Sequence, residues 1–146
     1  MKRSEAIRKI VTDHEGALVF SNGLTSRTAQ AVAHRPGNLY LLHAMGESQS
    51  VAKGIASAMP HLSVTCVRGD GEALMGRAGE HVQPDIHTHT LANGMYETTG
   101  GQPLPHPVWT DPIEPDDQKY PIPGDPKANV REFMAWLEQR RTQCES

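Results

Sequence analysis

The sequence predicts an α/β fold built on a parallel sheet with helices on both faces. Three observations predict it. Short apolar runs of strand length alternate with segments of helical periodicity. The joins between them carry helix stops or turn residues. At 146 residues the chain is long enough to bury a core without disulfide or metal staples. Strand, helix, strand at this rhythm implies right-handed crossovers between parallel strands.

The elements follow in order. Ser4 can cap a first helix whose Ile7, Ile10 and Val11 share a face, and Ala17 to Ser21 then reads as a buried strand. Thr25 caps a second helix to about His34, stopped by Arg35-Pro36-Gly37. Leu39 to Leu42 is the next strand. Ser48 to Met59 is a helix dense in small residues (Ala52, Gly54, Ala56, Ala58), with Val51, Ile55 and Met59 as its apolar stripe. Leu62 to Val67 is a strand, a short helix opens near Glu72, and Ile86 to Ala92 is the last strand of the set.

Beyond Gln102 the character changes. Most of the eleven prolines lie between 103 and 126, so this stretch is expected to be an arm rather than a layer of the core. Asp125-Pro126 supplies an N-cap and first helical position for a C-terminal helix with Val130, Phe133, Met134 and Leu137 on one face. Arg140 and Arg141 suit its C-terminal dipole. Three parts result: a domain over 1–102, the arm over 103–126, and a helix and tail over 127–146. The helix face packs back on the domain or docks on a partner subunit.

A net charge of −3 without a basic run argues against nucleic acid as the main partner. The start is charged and the longest apolar stretch is too short to span a bilayer, so no signal peptide or membrane span is expected. Cys66 in a strand and Cys144 near the end of the chain are poorly placed to pair, which fits a reducing, cytoplasmic setting.

The chemistry concentrates at Gly69-Asp70-Gly71, directly after the apolar run Leu62 to Val67, and at Ala92-Asn93-Gly94-Met95, at the end of the next strand. Both fall at carboxyl ends of predicted parallel strands, where ligands of such sheets bind. A diphosphate is well held through a Mg²⁺ ion that takes oxygen from a carboxylate, an amide and carbonyls, and Asp70 and Asn93 supply the first two. The flanking glycines let backbone N–H groups approach phosphate oxygens, and a following helix would aim its N-terminus at them.

Further segments lie in order around these motifs: Met1-Lys2-Arg3-Ser4-Glu5-Ala6-Ile7, Val19-Phe20-Ser21-Asn22-Gly23 with Ser26-Arg27, Asn38-Leu39-Tyr40-Leu41-Leu42-His43-Ala44-Met45-Gly46, and Asn93-Gly94-Met95-Tyr96 with Thr99-Gly100-Gly101-Gln102-Pro103. With them, residues 1 to about 103 resemble the cofactor-diphosphate (PP) domain of thiamine diphosphate-dependent 2-oxo acid decarboxylases. The resemblance is to the sulfopyruvate decarboxylase beta subunit and the C-terminal half of phosphonopyruvate decarboxylase, in shortened form.

The resemblance implies that Asp70, Asn93 and the Met95 carbonyl hold Mg²⁺, and that Gly69, Gly71 and Glu72 line the diphosphate, with backbone donors from Gly71 and Glu72. It implies that Met45 is the apolar wedge that bends the cofactor and that the His43 carbonyl accepts from its aminopyrimidine. Ser21 and Ser26 fall where cofactor or substrate could be touched. The implied activity is decarboxylation of phosphonopyruvate, sulfopyruvate or a similar anionic 2-oxo acid to an aldehyde and CO₂, with the cofactor supplying the electron sink. The glutamate that activates the cofactor belongs, in this family, to a pyrimidine-type domain that no segment here resembles. The resemblance therefore implies an alpha-type partner subunit and a shared active site.

Three departures from the family pattern support an alternative, a non-catalytic subunit that stabilises or regulates a decarboxylase. The interval from Asp70 to Asn93 is short, position 92 is alanine where Asn or Asp usually stands, and the usual elements after Gln102 give way to the proline-rich arm. A further alternative is a transition-metal site. His87 and His89 at i, i+2 on a strand face the same way, with His81 and Glu97 as candidates to complete the set.

Overall fold

The computed structural model describes residues 1–97, 100–105, 111–114 and 120–145. Its elements are α1 (Arg3–Asp13), β1 (Ala17–Phe20), α2 (Leu24–Ala33), β2 (Asn38–Tyr40), α3 (Ser48–Ala58), β3 (Val64–Gly69), α4 (Asp70–Met75), β4 (His87–Ala92), β5 (Met95–Tyr96), β6 (Gln102–Pro103), β7 (Asp111–Pro112) and α5 (Pro126–Glu145). A 3₁₀ turn, Arg77–His81, follows α4. The main sheet has the order β2-β1-β3-β4-β7 and every neighbouring pair is parallel. β5 and β6 form a separate antiparallel pair. Among the described residues no helix is long and apolar enough to cross a membrane.

Alternation along the strands divides the core in two. Leu18, Phe20, Tyr40, Val67 and Leu91 meet Ala6, Ile7 and Ile10 of α1 and Ala29 of α2. On the opposite face Ala17, Val19, Leu39, Val64 and Cys66 meet Ala52 of α3 and Phe133, Trp136 and Leu137 of α5. Helices thus cover both faces, and the central strands are apolar on both sides because nothing on either face is solvent.

Several boundaries differ from the sequence expectation, each for a tertiary reason. Lys2, not Ser4, caps α1, with the Lys2 N–H donating to Glu5 Oε2 at 2.9 Å. α2 opens at Leu24 because Gly23 takes φ +89°, reversing the chain straight from β1 into the helix, so Thr25 lies inside the first turn. α4 starts at Asp70, two residues before Glu72. β3 runs Val64–Gly69 rather than Leu62 to Val67, since Leu62 N–H closes a turn on Met59 O.

On α3 the buried face is Ser48, Gln49, Ala52 and Lys53, while Val51, Ile55 and Met59 pack along its border. The polar members are buried because they are bonded: Gln49 Nε2 donates to Thr88 Oγ1 and Lys53 Nζ to the Glu80 and Val82 carbonyls. On α5 the buried face is Phe133, Trp136 and Leu137, and Val130 and Met134 are exposed. The arm is also more than an arm, because β7 extends the sheet beside β4 and Ile113 enters the α1 face of the core.

β2 is an edge strand, and α5 covers its open side. Asn129 Nδ2 donates to Asn38 O at 2.9 Å, and Tyr40 N–H donates to Asn129 Oδ1 at 3.1 Å. One side-chain amide therefore imitates the next strand and blunts the edge. Replacing Asn129 by Ala should cost about 1–3 kcal/mol by stranding two backbone groups, read as a lower urea midpoint at unchanged slope. Burial also holds the Cys66 thiol and the Tyr40 phenol up at about 12. The unfolded chain ionises both groups first, so their contribution to stability should be fully present below pH ~9 and be lost as the pH rises from there toward about 12.

Candidate functional site

Asp70 sits where β3 gives way to α4, and its carboxylate gathers the loop that follows β4. Oδ2 accepts the Asn93 N–H at 3.0 Å and the Gly94 N–H at 2.8 Å, while Oδ1 accepts the Gly71 N–H at 2.9 Å. Asn93 Oδ1 in turn accepts the Met95 N–H at 3.0 Å. The carboxyl ends of two adjacent strands are thus tied into one rim, at the end of the sheet where ligands of parallel sheets bind.

A pocket opens over this rim, lined among others by Met45, Gly69, Asp70, Gly71, Glu72, Asn93 and Met95. Seven of the eight residues that the resemblance assigned to cofactor or metal come together there. His43 is the exception: it is exposed, does not line the pocket, and its carbonyl accepts the Met45 N–H at 3.2 Å. Met45, Met75 and Met95 are 46%, 50% and 40% exposed and make the pocket's rim apolar.

Glu72 has two faces. Its residue lines the pocket, but its side chain turns inward, where Oε1 accepts the Ser48 N–H at 3.0 Å and the Ser48 hydroxyl at 2.6 Å. It therefore satisfies an orphan donor at the N-terminus of α3. Ser21 and Ser26 prove structural: both are fully buried, and the Ser26 hydroxyl donates to the Phe20 and Ser21 carbonyls. Tucked under the turn after β1, they leave Asn22, Leu24 and Thr25 to face the pocket.

Arg3 is the functional candidate that the sequence did not disclose. It is 4% exposed, lines the pocket, forms an ion pair with Glu97, and keeps Nη1 buried without a hydrogen-bond partner among the described residues. A cation with an orphaned donor beside a site for anions is a ready anion contact. The segment Met1 to Ile7 entered the resemblance without a role for Arg3, because only the fold brings α1 to this end of the sheet. Glu97, held in that pair, is unavailable to the histidines of β4.

The donor set suits a hard dication. A carboxylate has about four lone-pair positions and an amide oxygen two. Asp70 uses three for backbone N–H groups and Asn93 uses one, so each keeps a lone pair for a metal. These donors are oxygen only, the kind of donor that Mg²⁺ takes.

The shortened interval between the two motifs is closed by polar anchors. α4 stops at Met75 and the 3₁₀ turn is held down by Arg68, whose guanidinium pairs with Glu80 at 2.9 Å and donates to Thr90 Oγ1 at 3.1 Å. At Gly46 and Gly76 two backbones nearly touch: a Cβ on Gly76 would lie 2.4 Å from Gly46 O, and Gly46 itself takes φ +82°. This contact carries the Met45 loop onto the end of α4.

No protein-family model matches the chain. A phosphonopyruvate decarboxylase of Streptomyces viridochromogenes is 30% identical over 107 residues, 68% of this chain and 27% of that protein. One of Streptomyces hygroscopicus is 34% identical over 91 residues, 59% of this chain and 22% of that protein. The chain therefore spans about a quarter of the length of these relatives. A solved 2-oxoglutarate:ferredoxin oxidoreductase from Magnetococcus marinus, with 2-oxoglutarate, coenzyme A and succinyl-CoA bound, superposes with a TM-score of 0.51. The match covers 70% of this chain and 37% of that one at 23% identity, a likeness of fold.

Gly76→Ala should separate the Met45 loop from α4 and destabilise the chain by about 1–3 kcal/mol. Thermal unfolding checks the loss. An unchanged midpoint would mean that the two loops are not held together.

Proposed function

We propose that this chain, which is similar to phosphonopyruvate decarboxylases over about a quarter of their length, is the diphosphate-binding, beta-type subunit of a two-component thiamine diphosphate-dependent decarboxylase. The observation that carries this reading is the Asp70 rim, where a carboxylate, an amide oxygen and glycine backbone converge at the carboxyl ends of β3 and β4. In this reading Asp70, Asn93 and the Met95 carbonyl hold Mg²⁺, and Gly69, Gly71 and Glu72 line the diphosphate. Met45 supplies the apolar support, and Arg3 adds positive charge beside the phosphates or the substrate carboxylate. Bound there, thiamine diphosphate would supply the electron sink for loss of CO₂ from a 2-oxo acid.

The chain's own part is binding, orientation and exclusion of water. Asp70 holds the loop 93–95 in place, so the metal ligands are pre-set before an ion arrives. The exposed methionines around the pocket support its being covered on assembly, since an apolar rim of flexible side chains adapts to a facing surface. The cover in this reading is an alpha-type subunit with the pyrimidine domain and its activating glutamate, in the cytoplasm. The substrate is phosphonopyruvate, sulfopyruvate or another 2-oxo acid with a second anionic group. The departures at Ala92 and in the short crossover keep a non-catalytic, stabilising subunit as the competing reading.

Asn93→Ala separates the two. Its side chain makes one local bond, to Met95 N–H, so its loss should leave the fold intact. In the complex co-purified from the native cells, native mass spectrometry should find thiamine diphosphate and Mg²⁺ on the parent. The variant should lose both, with decarboxylation down by about 10²-fold or more. Asp70→Ala should do the same and also unfold more easily. Full decarboxylation with Asn93→Ala would sink the catalytic reading and favour the stabilising subunit.

A further inference from the structure

A second cluster lies on the α1 face of the sheet, along the first half of β4 and away from the Asp70 rim. His87 and His89 project from the same side of β4, with their Nε2 atoms 3.1 Å apart and ring centroids 4.5 Å apart. His14, the C-cap of α1, closes the group: its ring stacks on His87 at 5.6 Å and stands edge-on to His89 at 5.4 Å. One nitrogen from each of the three rings falls within 4.8 Å of the others.

We infer that His14, His87 and His89 form a binding site for a borderline transition-metal dication, with Zn²⁺ the best match. Three arguments carry it. The first is spacing: two nitrogens each about 2.0–2.1 Å from a tetrahedral ion stand about 3.3 Å apart, close to the His87–His89 separation. The second is orientation. His14 Nδ1 lies 2.9 Å from the Ile10 carbonyl, and as a donor there it fixes the tautomer that leaves Nε2 to coordinate, the outer-shell bond typical of metal-bound histidine. The third is donor chemistry, because three imidazoles suit zinc, nickel or copper and do not suit Mg²⁺ or Ca²⁺.

Access is open as well. His87 is exposed, His14 and His89 are partly so, and a cavity lined by Lys9, Asp13, His14 and His89 leads in from the side of α1. Among the described residues the set is these three histidines, the number of protein ligands that a zinc ion with one further coordination position takes. The sequence pointed to the pair on β4 but to the wrong companions. His81 ends the 3₁₀ turn and is exposed, and Glu97 is paired with Arg3 in the other pocket. His14 replaces them, and an ion held there would cross-link the end of α1 to β4.

The test uses the full chain without a histidine tag, stripped with EDTA, dialysed, and titrated with Zn²⁺ by calorimetry. The result expected is one zinc per chain and a raised thermal midpoint, with Co²⁺ in its place giving the intense visible bands of a tetrahedral site. His14→Ala should weaken zinc by more than the roughly 10–100-fold that losing an outer-shell partner costs. Asn93→Ala should bind zinc as the parent does, since it belongs to the other site. Absence of a one-to-one isotherm, equal affinity with His14→Ala, or loss of zinc with Asn93→Ala would each overturn the assignment. Circular dichroism of each metal-free variant confirms that the fold is intact, so lost affinity reports the ligand.

Discussion

The carboxylate of Asp70 is the constraint on which the end of the sheet depends. It accepts three backbone N–H groups, two of them from the loop after β4, and so joins strands whose own ladder stops at Gly69 and Leu91. Each charge-assisted bond of this kind contributes about 1.5–3 kcal/mol and leaves no buried donor stranded. The tie also sets a close packing limit. Tyr96, carried in by the loop, lies so near Gly71 that a Cβ there would stand 2.8 Å from its ring. Glycine at 71 is thus required by the loop on one side as well as by any anion on the other.

Two residues along the same short helix, Glu72 points the other way and fastens the start of α3 through Ser48. Asp70 and Glu72 therefore organise different layers from one turn: the first shapes the rim, the second locks a crossover helix against the sheet. Ser48 also receives the Cys66 thiol at 3.4 Å, which ties this contact to the core of β3. A crossover as short as 70–86 lacks the length for a long helix to cover β3 and β4. Polar anchors take its place: Arg68 holds Glu80, and Lys53 holds the Glu80 and Val82 carbonyls at the end of the turn. Buried guanidinium and ammonium groups are tolerated there because each finds oxygen acceptors.

What was legible in the sequence was what depends on local pattern. Ala17 to Ser21 read as a strand because a buried parallel strand is a continuous apolar run, and Ile86 to Ala92 read as the next strand of the alternation; each lies within one residue of the strand observed. Asp70 and Asn93 were legible because strand ends in such sheets converge by topology, so two motifs at two ends must meet. Cap positions and faces were less so. α2 starts early because Gly23 can adopt a positive φ, and α5 turns Trp136 inward and Val130 outward because the sheet offers room at Gly37, beside the indole. Asn129 and His14 carried no local signal at all, and the segment Met1 to Ile7 gave Arg3 no role. Each acts on residues far away in the chain, and only tertiary packing could bring them there.

The placement of donors along β4 has a consequence for metal choice. Its carboxyl end faces Asp70 and presents oxygen, while its first half presents two imidazoles to a third from α1. In the readings proposed here the two sites differ in hardness rather than in raw affinity, and that difference keeps them apart. A hard ion finds no oxygen ligand set among the histidines, and a borderline ion finds three imidazoles there against oxygen donors alone at the Asp70 rim. The strand's ladder transmits position but no charge between the ends. β4 is thus one link between the two ends and α1 a second, since the first residue of that helix, Arg3, borders the oxygen site and its C-cap, His14, borders the nitrogen site.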